Sequence, residues 1–307
     1  MSDRIEFYKN RSIGERFSVA VDFLKQNWKV LYKNIMWGGL PLALLMSFLS
    51  ARMMSVRPVA GVGAFSDLYG FLLTIGLLSV VSFLIMLYLY SMTGAVLLHY
   101  DRNQLTETTG WGSLQATFFK LVGKTFLITL ILYLLVIIIT AIFAVIMVIS
   151  GFGAVTGGQL SGSAAVLIVF SVLLLLGICI VFIPFFTIIY FPAYFSGKSV
   201  WKSITIAFKL GFKNWGSLFV AFILTMIVFT VIYMIFSGPL QLVSVFATLG
   251  GINVSYIIYF LLAILSSIGT TLAYPIMIVI FAFQYFSIVE SEEGVSLQSK
   301  ISDFENL

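Results

Sequence analysis

Residues 124–198 read KTFLITLILYLLVIIITAIFAVIMVISGFGAVTGGQLSGSAAVLIVFSVLLLLGICIVFIPFFTIIYFPAYFSGK, and only the two ends, Lys124 and Lys198, carry charge. A second tract, from Lys213 to Glu290, has no charged residue between its ends either. Globular domains average about 25% charged residues. A run this long with none is solvated by lipid rather than by water. The whole chain agrees: of 307 residues 61% are hydrophobic and 9% charged, and the mean hydropathy is +1.10.

A membrane helix needs about 20 predominantly apolar residues. Six stretches meet this need: 35–51, 69–98, 126–150, 164–195, 218–237 and 256–288. The first is short, and the second, fourth and sixth are long enough to tilt or project from the bilayer. Pro184, Pro192 and Pro275 fall late in the fourth and sixth stretches, where a kink or a helix end is expected. The expected fold class is therefore all-α, a polytopic helical membrane protein with six transmembrane helices. Asp3 and Glu6 precede any apolar run, so the start does not read as a cleavable signal. Cys179, the single cysteine, lies inside a span, which excludes a disulfide framework. It reads as a small apolar packing residue.

Lysine and arginine set the orientation. Arg4, Lys9, Arg11, Arg16, Lys25, Lys29 and Lys33 precede the first span. Arg102, Lys120 and Lys124 lie between the second and third, and Lys198, Lys202, Lys209 and Lys213 between the fourth and fifth; Lys300 is in the tail. Of the 17 basic residues only Arg52 and Arg57 fall on the other face. The positive-inside rule is expected to place the basic face, and both termini, in the cytoplasm. The opposite connections, 151–163 (GFGAVTGGQLSGS) and 238–255 (GPLQLVSVFATLGGINVS), are uncharged and read as turns and flexible loops. They offer nothing to a charged ligand or to nucleic acid.

Each basic segment carries helical periodicity. Ile13, Phe17, Ala20, Val21, Leu24, Trp28 and Leu31 recur at spacings of three and four, with Glu15, Arg16, Asp22, Lys25 and Lys29 opposite. Ser12 followed by Glu15 forms a capping-box pattern. Further on, Trp201, Ile204, Phe208, Gly211, Phe212 and Trp215 form a stripe backed by Lys202, Lys209 and Lys213. The two segments align without a gap: Ser12 with Ser199, Ala20 with Ala207, and Asn27-Trp28 with Asn214-Trp215. A middle segment fits less closely, pairing Trp111 with Trp201, Ser113 with Ser203, Leu114 with Ile204 and Phe118 with Phe208.

Three repeats are expected within a single membrane domain of residues 1–307, at about 12–98, 109–195 and 199–289, with a cytoplasmic tail at 290–307. Each is a cytoplasmic amphipathic helix followed by a hairpin. Units with an even number of spans share one orientation, which makes them parallel rather than inverted repeats. Gln284, Glu290, Gly294, Ser296 and Ile301 suggest the truncated start of a fourth unit.

Amphipathic helices with Lys on one face and Trp or Phe on the other lie in the headgroup region, and each basic residue near an anionic leaflet contributes on the order of 1 kcal/mol. The residues expected to contact lipid or a partner are Arg16, Lys25, Trp28, Lys29, Lys33, Trp111, Lys120, Lys124, Trp201, Lys202, Lys209, Lys213 and Trp215. Asn27 and Asn214 are expected to cap helix elbows. The helices either sense lipid and dock partners or only set the angle of the hairpins that follow.

Little catalytic chemistry is visible. His99 is the only histidine, so no His-based metal cluster is expected, and no phosphate-binding, dinucleotide or nucleophile-elbow motif occurs. Cofactors are expected to be none. No Asp, Glu, Lys or Arg lies well inside a span, which counts against ion-coupled transport. Gly38-Gly39-Pro41, Gly238-Pro239 and Tyr274-Pro275 mark either broken helices or ordinary kinks.

Residues 12–31 and 199–220, with the overall layout, resemble bacterial multi-pass families that include the membrane domain of some glycerophosphodiester phosphodiesterases. In those proteins the chemistry belongs to a separate soluble domain with acidic and histidine ligands, which this sequence lacks. The resemblance implies an accessory or scaffold role without activity. Two functions stay open. One is a non-enzymatic scaffold whose partners are anionic lipids or other membrane or cytoplasmic proteins. The other is a permease for an uncharged or amphipathic substrate, with Thr74, Ser79, Ser82, Tyr88, Thr270 and Thr271 as candidates for an inward polar stripe.

Overall fold

The computed structural model describes residues 4–55, 64–157, 162–250, 252 and 254–295. These form helices α1 (Ile13–Ser55), α2 (Ala64–Asp101), α3 (Trp111–Gly157), α4 (Gly162–Ile188), α5 (Tyr190–Phe195), α6 (Val200–Lys213), α7 (Trp215–Leu249) and α8 (Tyr256–Glu293). Among the described residues six helices are long and apolar enough to cross a membrane, the makeup of a multi-pass membrane protein. Arg57, Lys300, residues 158–161 of one expected loop and the tail from Ser296 lie outside the described residues.

Helix boundaries depart from the expected pattern in two ways. First, the amphipathic leads of α1 and α3 are not separate helices. α1 runs unbroken for 43 residues, roughly 65 Å at 1.5 Å per residue. Asn27 is no elbow: its Nδ2 donates to the Phe23 carbonyl of its own helix at 2.9 Å. Buried Val30, Leu31 and Ile35 continue the packed face beyond it. The elbow at Asn214 does exist. Its φ of −111° and ψ of 29° end α6, and α7 starts at Trp215. Second, both expected loops are partly helical: within 151–163, α3 runs on through Gly157 and α4 starts at Gly162, and within 238–255, α7 extends as far as Leu249. Leu240 packs with Ala51, Tyr259 and Ala263, and that burial holds the helix through Gly238 and Pro239.

The chain divides into two compact units: Met1–Gly123 with Val220–Leu307, and Lys124–Phe219. In the first, α8 is the core helix, 83% buried over its most apolar window against 17% for α3 and α7. α1 lies along it. Tyr32 donates its hydroxyl to the Leu272 carbonyl at 3.0 Å, next to the Thr271 carbonyl that Pro275 leaves without its helical N–H. Ser47 Oγ donates to the Ala263 carbonyl at 3.1 Å.

Gly38 and Gly39 break nothing; they let α1 pass close to its neighbours. A Cβ at Gly38 would meet the Tyr88 ring at 2.6 Å, and one at Gly39 would meet Thr271 Cγ2 at 3.1 Å. The Tyr88 hydroxyl donates to the Asn34 carbonyl at 2.6 Å and accepts from Gly38 N at 3.0 Å, which ties α2 to α1. The capping box forms as expected, with Ser12 N donating to Glu15 Oε2 at 2.7 Å.

In the second unit side-chain hydroxyls tie α3 to α5. Thr125 meets the Tyr194 hydroxyl at 2.6 Å and Thr129 meets that of Tyr190 at 3.1 Å. Pro192 has no N–H for the Ile188 carbonyl, and α4 ends at Ile188. α6 packs on α4 and α5 through Ser203, Ala207 and Gly211, small residues spaced by four. A Cβ at Gly211 would sit 3.3 Å from the Phe185 backbone.

Candidate functional site

Seven of the expected lipid-contact lysines are exposed: Lys25, Lys29, Lys33, Lys120, Lys202, Lys209 and Lys213. Trp28 and Trp201 stand out beside them, 54% and 71% exposed. Others are committed to the protein. Arg16 is buried, a correction to its expected place on the polar face. Its Nη1 donates to Gln284 Oε1 at 3.1 Å and its Nε to the Arg11 carbonyl at 2.8 Å. The half-buried Lys124 amine donates to the Ala193 carbonyl, so it links α3 to the α5 segment. Trp111 stacks on Trp37 with centroids 5.0 Å apart. Trp215 donates its indole N–H to the Val181 carbonyl at 3.1 Å, just before Pro184 in α4. Cys179 does not pack inside; it is exposed on α4.

Segment 4–12 lies across the ends of α1, α2 and α8. Phe7 stacks on Tyr100 and on Phe286, and meets Phe23 and Phe283 edge-on. Arg4 Nη2 donates to the Tyr100 and Asp101 carbonyls at 2.6 and 2.8 Å. A cleft of about 830 Å³ opens here, with Arg4, Lys9, Asp101 and Glu290 on its walls. Burial, then the charges of Asp101 and Glu293, push the Tyr8 phenol above its ordinary value. Burial also lowers the Arg11 guanidinium. The cleft holds charges of both signs but no nucleophile paired with a base. His99 is buried, with Nδ1 3.0 Å from the Ala95 carbonyl of its own helix. Among the described residues no three His, Cys, Asp or Glu side chains gather as a metal would require.

A second concave site lies among the apolar helices. A cavity of about 310 Å³ is bounded by α1 (Met46, Ser50, Met54), α2 (Ser82, Ile85, Met86), α7 (Tyr233, Leu240) and α8 (Ser266, Ser267, Thr270, Thr271, Tyr274). No charged residue lines it. Ser82, Thr270 and Thr271, three of the polar-stripe candidates, come together here. The others do not. Thr74 bonds the Gly70 carbonyl, Ser79 is exposed, and Tyr88 serves the α1–α2 contact. The cavity's methionines and Tyr233 carry no sequence signal, because isolated Met and Tyr positions in apolar helices look like ordinary packing. No family model, curated protein or solved structure matches the chain.

Proposed function

We propose that this chain is a non-enzymatic scaffold or accessory protein of the bacterial inner membrane, with both termini in the cytoplasm. Its basic amphipathic segments rest on anionic headgroups and present a face to partner proteins. The observation that carries the reading is the clustering of exposed Lys25, Lys29 and Lys33 beside Trp28, and of Lys202, Lys209 and Lys213 beside Trp201. The kinship drawn from residues 12–31 and 199–220 belongs to the same proposal, as does the absence of nucleic acid among its partners.

The three-repeat layout is part of this reading, and two observations support it. At the sequence offset that pairs the first and third leads, buried positions coincide: Arg16 with Ser203, Ala20 with Ala207, and Phe23 with Leu210. The middle lead does not keep register, since Ser113 is exposed where Ser203 is buried. Two of the leads also pack on the second long helix of a pair or its continuation: α6 on α4 and α5, and α1 on α8. The start of α3 touches α2 through Phe118 and Tyr88, and stacks Trp111 on Trp37 of α1 as well.

The test has two arms. Tags at the two ends should be shielded in intact cells and exposed in inverted vesicles; an outside terminus overturns the orientation. Purification in mild detergent should retain anionic lipid or a partner protein, and K202Q/K209Q/K213Q should cut the retained anionic lipid several-fold, since each lysine contributes on the order of 1 kcal/mol. Unchanged lipid retention in the triple variant, with no partner recovered, sinks the scaffold. The hydroxyl-lined cavity favours a second reading, a permease for an uncharged or amphipathic substrate. Substrate flux in liposomes would select it.

A further inference from the structure

The cavity between α1, α2, α7 and α8 has a chemistry of its own. Hydroxyls at membrane depth normally return their protons to their own helix. Ser82, Thr270 and Thr271 do this, donating to the Leu78, Ser266 and Ser267 carbonyls at 2.7, 2.7 and 2.8 Å. Their oxygen lone pairs are then what these three offer the cavity, and an occupant that brings a donor can meet them. Ser50 and Ser267 make no side-chain hydrogen bond among the described residues. They are half-buried, and each can both give and take one.

An alkyl chain alone would leave these groups unsatisfied in an apolar surround, at a cost for each. A charged head finds no counter-ion on the walls. The apolar part of the lining, Met46, Met54 and Met86 with Ile85 and Leu240, suits a flexible apolar body, because thioethers adapt to irregular shapes. The volume, about 310 Å³, is roughly ten water-sized spaces and lies at the lower end of known ligand sites.

We propose that this cavity binds a small uncharged alcohol with an alkyl body, entering from the hydrocarbon layer, its hydroxyl held by Ser50, Ser267 and the threonine oxygens. The free alkanol and the hydroxyl end of a neutral monoacylglycerol share this chemistry. The site needs neither partner protein nor transport, so it stands or falls apart from the scaffold and from flux.

The test uses the full chain in liposomes and a photoreactive medium-chain primary alcohol. Labels should map to the peptides holding Met46 and Met54 and those holding Ser266 to Tyr274. Excess decanol or monodecanoylglycerol should compete, and whichever competes at lower concentration identifies the source. The alkane analogue without the hydroxyl, and the carboxylate analogue, should label these peptides at least fivefold less. Ser267→Phe, which fills the space, should reduce labelling tenfold or more. S50A/S267A keeps the volume and should reduce it about fivefold with circular dichroism and melting unchanged, which separates lost binding from lost fold. Equal labelling by the alkane, or undiminished labelling in S50A/S267A, overturns the proposal, because the space would then be lipid-filled packing only. Labelling confined to the lipid-facing surfaces of α3 and α4 overturns it as well.

Discussion

A guanidinium at position 16 faces Gln284 instead of water, and the amide that receives it has a cost of its own. Gln284 Nε2 is buried without a hydrogen-bond partner among the described residues. Removing the acceptor with Gln284→Leu should destabilise the fold by about 1–3 kcal/mol, towards the lower end because the orphaned N–H goes too. Adding Arg16→Met should restore most of the loss, since apolar residues replace a buried polar pair at little net cost. Thermal unfolding of purified protein in detergent measures both, and equal melting of wild type and Gln284→Leu refutes the coupling. Arg16 was visible in the sequence as a charge on a helical wheel beside Glu15, Lys25 and Lys29. Its burial was not, because the partner that selects it is 268 residues away. Lys124 shows the same limit: the sequence places a lysine at a span's edge but not the Ala193 carbonyl that receives its proton.

At the scale of elements, the same dipeptide has two outcomes. Asn27-Trp28 lies within a continuous helix, whereas Asn214-Trp215 divides one from the next. The difference comes from what each lead packs on. Small residues lock α6 against α4 and α5, and the Trp215 indole is fixed to Val181, so the chain turns between two anchored pieces. In α1 the buried face simply continues. Asn27→Pro should therefore cost about 3 kcal/mol, while Asn214→Gly, at a non-helical position, should stay within about 1 kcal/mol. Gly211→Val should drive a side chain into the Phe185 backbone and loosen α6, at about 1–3 kcal/mol. Circular dichroism melts resolve the first two, and limited proteolysis after Lys202 or Lys209 reads the third. The six apolar helices were legible from charge-free runs alone. Their ends were not: Gly and Pro at 238–239 read as a turn, and burial of Leu240 overrode them.

For the molecule as a whole, the first unit is assembled from both ends of the chain, with residues 124–219 inserted between. Its core helix, α8, is also the one that α1 depends on most. A chain stopped after Gly250 should fail to accumulate in membranes, as measured by immunoblot of fractions, whereas one stopped after Val295 should persist at near wild-type level. Equal abundance of the two would show that α8 is dispensable. The α1–α8 pairing also imposes a schedule on synthesis. About 200 residues separate the end of α1 from the start of α8, roughly 10–40 s at a ribosome's usual pace. Through that interval the face of α1 that packs on α8, with Arg16, Gly39 and Ser47 along it, is not yet covered by that helix. The nascent chain is then a client for whatever insertion machinery or membrane chaperone shelters half-built bundles, and a target for quality-control proteases if translation stalls.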